Sequence, residues 1–351
     1  MDWLYTATEE FKYITIRSIF FQFLSLIFLF VFVHTPQDLY WYAAFGIFSA
    51  VGSNICNFIH SRSYIDIFKK QTLEIKKHLK PIFVFFGMTL VTNVYTVLDT
   101  TMLGFLTTDT EVGYYSAATK IVKMVIGMLT AVSAILLPRL SYHAEKEQFS
   151  AFSSLIEKSI SIFWMISIPM CVGLYLLAQP VLLLFSGGNF INALVPMRII
   201  TPIIFIISTA SLLGSPLSAM RKEKLSLIAV CIGATTNLLC NMLLIPKHGA
   251  AGAAIGTVIA ESSVMLFQVF FLRKYFMNKQ IWKNAFQVLV AVIVMGFCVY
   301  FAEKLVQPVF IKILVGFFAG VVSYAAVLLA FHNFYFLDIL KKMTEKVCRS
   351  C

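Results

Sequence analysis

The sequence predicts an all-α fold, a polytopic membrane helix bundle of about ten transmembrane helices. Three observations predict it. Ten apolar stretches follow one another along the 351 residues, and each is close to the roughly 20 residues that a helix needs to cross hydrocarbon. Hydrophobic residues make up 59% of the chain and charged residues 13%, with a mean hydropathy of +0.84. Soluble chains carry about 25% charged residues, so this much apolar surface cannot be hidden in one water-soluble core. Finally, 22 of the 28 Lys and Arg residues fall in alternate gaps between the stretches or at the edges of the flanking spans.

That alternation gives the topology. The intervening gaps hold only Lys247, Lys304 and Lys312. By the positive-inside rule the basic gaps are cytoplasmic, and an even number of spans puts both termini there. The net charge of +11 is therefore topological. It excludes nucleic acid as the natural partner and favours anionic membrane lipid.

In order, the spans are 14–33, 40–59, 81–106, 112–137, 159–177, 192–213, 225–244, 250–271, 282–301 and 310–330. The first two form a hairpin with a short outer turn. The basic stretch 61–80 follows as a cytoplasmic linker. Six spans then run to residue 273, and 274–351 adds a final hairpin and a cytoplasmic tail. Tyr40, Trp41, Tyr42, Tyr114 and Tyr115 fall at outer interfaces, where aromatic residues form a belt. Pro138, Pro169, Pro202 and Pro216 lie within or beside spans. Membrane helices tolerate proline when neighbours satisfy the freed carbonyls, and such helices bend.

Charges inside spans are the informative positions, because each costs roughly 2.5–3.5 kcal/mol at mid-helix and usually faces a cavity or a partner. Asp99 lies in the third span, Lys120 and Lys123 in the outer half of the fourth, Arg198 in the sixth and Glu261 in the eighth. Lys120 and Lys123 are three apart and share a helix face. The third and fourth spans are joined by a few residues, so Asp99 is expected to approach that face. Three cations and a carboxylate in one watery cavity would suit a phosphorylated or anionic head group. Glu261 is the candidate for coupling to protons or sodium, with a buried structural acid as the alternative. Gly249, Gly252 and Gly256 are spaced for close helix packing.

Other chemistry is missing from the chain. It has no phosphate-cradling glycine loop ending in Lys-Ser/Thr, no His-Glu-x-x-His and no nucleophile elbow. The six histidines are scattered near span ends, and five of the seven cysteines sit inside apolar spans, where cysteine behaves as a small hydrophobe. The single Cys348-x-x-Cys351 pair stands without a second one. No catalytic residue, metal or cofactor is expected.

Several strings resemble one family. Asp99-Thr-Thr-Met-Leu-Gly104, then Glu111-Val-Gly-Tyr-Tyr-Ser-Ala-Ala-Thr-Lys-Ile121, look like the start of the second lobe in polysaccharide flippases. These are the Wzx-type O-antigen flippases of the multidrug/oligosaccharidyl-lipid/polysaccharide exporter superfamily. Asn237-Leu-Leu-Cys-Asn241, continuing through Pro246 and Gly249 to Glu261, is similar to that family's most distinctive stretch, and Arg221-Lys-Glu-Lys224 matches its basic turn after the tenth helix. The resemblance covers essentially the whole chain.

The resemblance implies two six-helix lobes with substrate held between them. It also implies that residues 11–17 open the fifth helix, so that 1–60 is the remnant of a first lobe lacking about four N-terminal helices. The implied activity is flipping an undecaprenyl-pyrophosphate-linked oligosaccharide across a bacterial cytoplasmic membrane, with the polysaccharide polymerase machinery as a partner. Lys120, Lys123 and Arg198 would attract the head group, and Asp99 would hold a lysine or be exchanged for substrate. Alternatives are a drug or cation antiporter of the same superfamily, a membrane polymerase or ligase, and a nonfunctional fragment. Acidic groups should dominate an antiporter cavity, and a polymerase should carry a sizeable outer loop. Here cations outnumber acids and the outer gaps are short.

Overall fold

The computed structural model describes residues 4, 5, 8, 10–64, 79, 97–134 and 136–341. The chain divides into two compact units, Met1–Lys80 and Pro81–Cys351.

The first unit is built on a helical hairpin. Helix α1 (Phe11–Phe32) is apolar on all sides, as a membrane span should be. It ends at Val33, whose backbone is extended. A 3-10 turn (Pro36–Asp38) then leads into α2 (Leu39–His60). Asp38 accepts the backbone N–H of Thr35 at 2.9 Å and of His34 at 3.1 Å, which closes the turn as a capping box. The two helices pack through rings, with Phe28 meeting Phe45 at 5.4 Å and Phe48 at 5.6 Å. At the other end Tyr5 donates to the carbonyl of Asn57 at 2.8 Å.

In the second unit α3 covers Val97–Leu106, followed by α4 (Asp109–Ala134) and α5 (Leu136–Glu145). Helix α6 (Phe149–Leu176) begins ten residues before the expected span and contains Pro169. Helix α7 is Ala178–Ser186. A 3-10 segment (Gly188–Ala193) and α8 (Leu194–Ile200) precede α9 (Ile203–Ala219). The axes on either side of the Thr201–Pro202 break differ by 44°, because Pro202 has no N–H to continue the ladder.

Helix α9 is the centre of this unit. Ile203, Ile204, Leu212, Leu213 and Leu217 are all buried on it, and α4, α5, α6 and α10 (Glu223–Leu272) pack around it. Helix α11 (Lys279–Lys304) and α12 (Val309–Ala330) form a hairpin. Helix α11 lies against α6, and α12 against α7. Gly320 brings α12 close to Val299 of α11. The outer faces show Phe286, Phe297, Phe317 and Phe318, the bulky apolar surface that suits lipid.

Helix α10 is broken at Gly249, whose φ of +53° and ψ of −130° are not helical, and the chain folds back on itself there. Asn241 and Gly256 would lie about 22 Å apart on a straight helix. A Cβ on Gly256 would instead overlap the side-chain oxygen of Asn241, and one on Gly252 would overlap the carbonyl of Leu244. The arms 223–248 and 250–272 are therefore antiparallel neighbours, and the glycines permit their contact as expected. Glu111 of α4 accepts the backbone N–H of Ala250 at 2.7 Å, which fixes the hairpin tip.

Six helices among the described residues are long and apolar enough to cross a membrane, or seven if the bent pair α8–α9 is one span. The shortfall from ten has specific causes. Most of 81–106 lies outside the described residues, as do most of 61–80 and the tail pair Cys348 and Cys351. Helix α10 holds two expected spans in one. Helix α4 is 26 residues long, but Lys120 and Lys123 interrupt its apolar character.

Candidate functional site

Two polar features of the second unit involve charges that lie inside expected spans. The first is centred on Asp99. Its Oδ1 accepts the side-chain amides of Asn237 at 2.8 Å and Asn241 at 2.7 Å. Its Oδ2 accepts the hydroxyl of Tyr115 at 2.6 Å and lies 2.8 Å from the hydroxyl of Thr257. All five residues are buried. They come from α3, α4 and both arms of α10, so the fold at Gly249 is what builds the cluster.

Local sequence explains the convergence. Asn237 and Asn241 are one turn apart and share a helix face. Asn241 also donates to Asn237 Oδ1 at 3.1 Å. Thr257 faces them across the hairpin because Gly256 beside it lets the arms touch.

The Thr257 hydroxyl sits 2.9 Å from Tyr115 Oη and 2.9 Å from the carbonyl of Ala253, as well as within reach of Asp99. Asn241 Oδ1 is buried and has no donor among the described residues, although buried acceptors are normally satisfied. One carboxylate, an unpaired amide oxygen, a hydroxyl and a carbonyl make an all-oxygen set suited to a hard cation. A single negative charge suits a monovalent one.

The second feature is a groove of about 540 Å³ between α4 and the end of α7. Gly113, Ser116, Lys120 and Met124 line one wall, and Phe185 and Phe190 the other. Lys120 and Lys123 are both exposed, on the side of α4 that does not carry the buried Tyr115, Val122, Ile126 and Leu129.

The structure does not bring the expected site residues into one cavity. Tyr115 and Lys120 are about 140° apart around the helix at 100° per residue. Asp99, held by Tyr115, therefore meets neither lysine, and its partners are neutral amides and hydroxyls. Lys123 and Arg198 are not in the groove's lining. The guanidinium of Arg198 lies over the Tyr175 ring of α6 at 5.6 Å, a cation–π contact. Glu261 is half-buried, one turn beyond Thr257 on the same arm.

Tyr115 is another correction. It is buried on Asp99 and is no part of an aromatic belt; Tyr114 next to it receives a hydrogen bond from Asn192 at 3.3 Å. Tyr115, Asn237, Asn241 and Thr257 are the residues that sequence reasoning missed. The available signal was a pair of amides one turn apart inside an apolar span.

Comparison with known proteins identifies the family and the fold. The family described as lipid II flippase MurJ matches residues 4–322. The low-salt glycan biosynthesis flippase Agl15 of Haloferax volcanii is 23% identical over 242 residues, 68% of this chain and 50% of that protein. A protein of Escherichia coli (strain K12) called an O-antigen transporter is 25% identical over 276 residues, 76% of this chain and 66% of its own length. The chain thus spans half to about two thirds of these curated relatives. A solved lipid II flippase MurJ, in an inward closed conformation, superposes with a TM-score of 0.72 at 20% identity, over 90% of this chain and 66% of that one. This similarity establishes the fold.

Proposed function

The chain belongs to the lipid II flippase MurJ family, a membrane transporter family, and from that premise we propose that it flips a lipid-linked oligosaccharide. The substrate is an undecaprenyl-pyrophosphate-linked repeat unit of O-antigen, capsule or exopolysaccharide. It crosses the bacterial cytoplasmic membrane by alternating access, with both termini of the flippase cytoplasmic. The sugar and pyrophosphate pass through a wet path while the isoprenoid tail stays in lipid. Polymerase machinery on the far side consumes the delivered unit.

The observation that carries this reading is the exposed pair Lys120 and Lys123 on one face of a membrane-length helix, beside a groove of about 540 Å³. Two cations held at that depth need an anionic partner, and a pyrophosphate supplies one. The names of the glycan flippase and O-antigen transporter relatives support the substrate class.

We assign coupling to the Asp99 cluster in preference to Glu261. Asp99, Asn241, Thr257 and the carbonyl of Ala253 would hold a monovalent cation. Such an ion would tie α3, α4 and both arms of α10 together and so bias one state of the lobe. In the test, a host lacking this gene is complemented with the wild-type chain or with Lys120→Ala. Surface glycan should fall at least about tenfold, as expected for losing roughly 1.4 kcal/mol or more of head-group binding, while the lipid-linked intermediate accumulates. Full polymer at equal expression would remove Lys120 from the pathway.

A further inference from the structure

We infer that a second basic pocket, at the opposite end of the unit from the Gly249 turn, binds the phosphate of an anionic glycerophospholipid. This pocket of about 670 Å³ is not lined by any residue of the Asp99 cluster or the Lys120 groove. Three separate segments build it: the turn after α9 with Arg221 and Lys222, the 3-10 segment after α10 with Lys274 and Tyr275, and the α5–α6 junction with Glu145 and Phe149.

The charges fit a phosphodiester. Three cations face one carboxylate, Glu145, which can accept a hydrogen bond from a headgroup hydroxyl. The ammonium of Lys274 lies 4.8 Å over the Tyr275 ring, which holds it at the pocket. Arg221 occupies a left-handed backbone position, φ +56°, just past the end of α9. The N–H groups of Arg221 and Lys222 reach back to the carbonyls of Ser218 at 2.9 Å and Leu217 at 2.8 Å. This is the helix-ending turn in which glycine is the favoured residue. Glycine would close the turn with less strain, so the fold itself has no use for the arginine side chain.

The walls indicate a lipid as the source of the phosphate. Phe149 is 71% exposed beside the pocket, which Phe152, Met220 and Tyr275 also line. A soluble phosphate would use the cations and leave this apolar rim wet. A glycerophospholipid uses both, with its phosphate on the cations and its ester region on the rings. The basic turns converging here are those that the charge distribution places at the cytoplasmic leaflet, where anionic lipids attract such side chains.

The test uses the purified full chain in mild detergent and native mass spectrometry. Dioleoyl phosphatidylglycerol should bind more tightly than dioleoyl phosphatidylcholine. Binding should weaken about 5-fold in Arg221→Gly or Lys274→Gln and about 25-fold in the double variant, at roughly one surface charge's worth each. Lys312→Gln, at the other end, should bind as wild type. Arg221→Gly suits the turn, so its thermal stability without lipid should be no lower than wild type, which separates lost binding from lost fold. Equal phosphatidylglycerol affinity in the double variant would overturn the site. Displacement of the lipid by an equal concentration of glycerol phosphate would overturn its assignment to a membrane lipid.

Discussion

Asn241 donates its side-chain amide to Asp99 at 2.7 Å across 142 residues of sequence, and the oxygen of the same amide is buried without a donor among the described residues. The amide therefore spends its protons on the carboxylate and on Asn237 Oδ1, and its oxygen lies against Gly256 of the other arm. The proposed coupling cation would sit beside this pair, on the Asp99 carboxylate and the Thr257 hydroxyl.

Asp99→Asn tests this directly. The wild-type chain in detergent should melt at a higher temperature in sodium than in choline. At ten times Kd the linkage stabilises by about 1.4 kcal/mol, which is roughly 2 °C for a chain of this size. In Asp99→Asn the sodium shift should vanish. Baseline stability should also fall by about 1–3 kcal/mol, because an amide N–H₂ now faces other donors. An undiminished sodium shift in the variant would remove Asp99 from the ion site.

The α1–α2 turn should respond to acid. The backbone N–H of Thr35, then that of His34, and then the Thr35 hydroxyl hold the Asp38 carboxyl below its ordinary value of 3.8. A lowered carboxyl contributes stability above the unfolded value, about 3.9, and loses it as pH falls through the folded value. The His34 and Thr35 amides should therefore open below about pH 4. Hydrogen exchange, corrected for intrinsic rates, should show this step in the wild-type chain and not in Asp38→Asn. Identical profiles would mean that the capping box does not hold the turn.

Much of this fold was legible because bilayer thickness and the positive-inside rule act on sequence directly. Both arms of the first hairpin and both helices of the last fall within a few residues of their expected spans. The break at Pro202 was legible from the missing N–H. The start of α6 was not, since residues 149–158 are polar enough to read as a gap. The site was only half legible. Asp99, Lys120 and Lys123 stand out as charges in apolar runs, but whether two charges share a cavity depends on the angle between them around a helix. Tyr115 claims Asp99 for the buried side of α4, while Lys120 faces away. Neutral partners such as Asn241 and Thr257 carry no charge to mark them. They meet only because the chain reverses at Gly249.

That reversal depends on the absence of a side chain at Gly256. A methyl there would overlap Asn241 Oδ1 and sit 3.5 Å from Cys240 Cβ, so Asn241 must rotate away from Asp99 or the arms must part. Gly256→Ala should destabilise the protein by about 1–3 kcal/mol, the usual cost of overpacking. It should also reduce the sodium-dependent shift, since the displaced amide oxygen is one of the proposed ligands. Gly173→Ala is the matched control, because a Cβ at that helical position meets nothing within 4 Å. There the backbone gain of about 0.5–1 kcal/mol should dominate, raising thermal stability and leaving the sodium response intact. If Gly256→Ala melted with the wild-type sodium response, the hairpin contact would be packing alone and Asn241 would have no part in holding an ion.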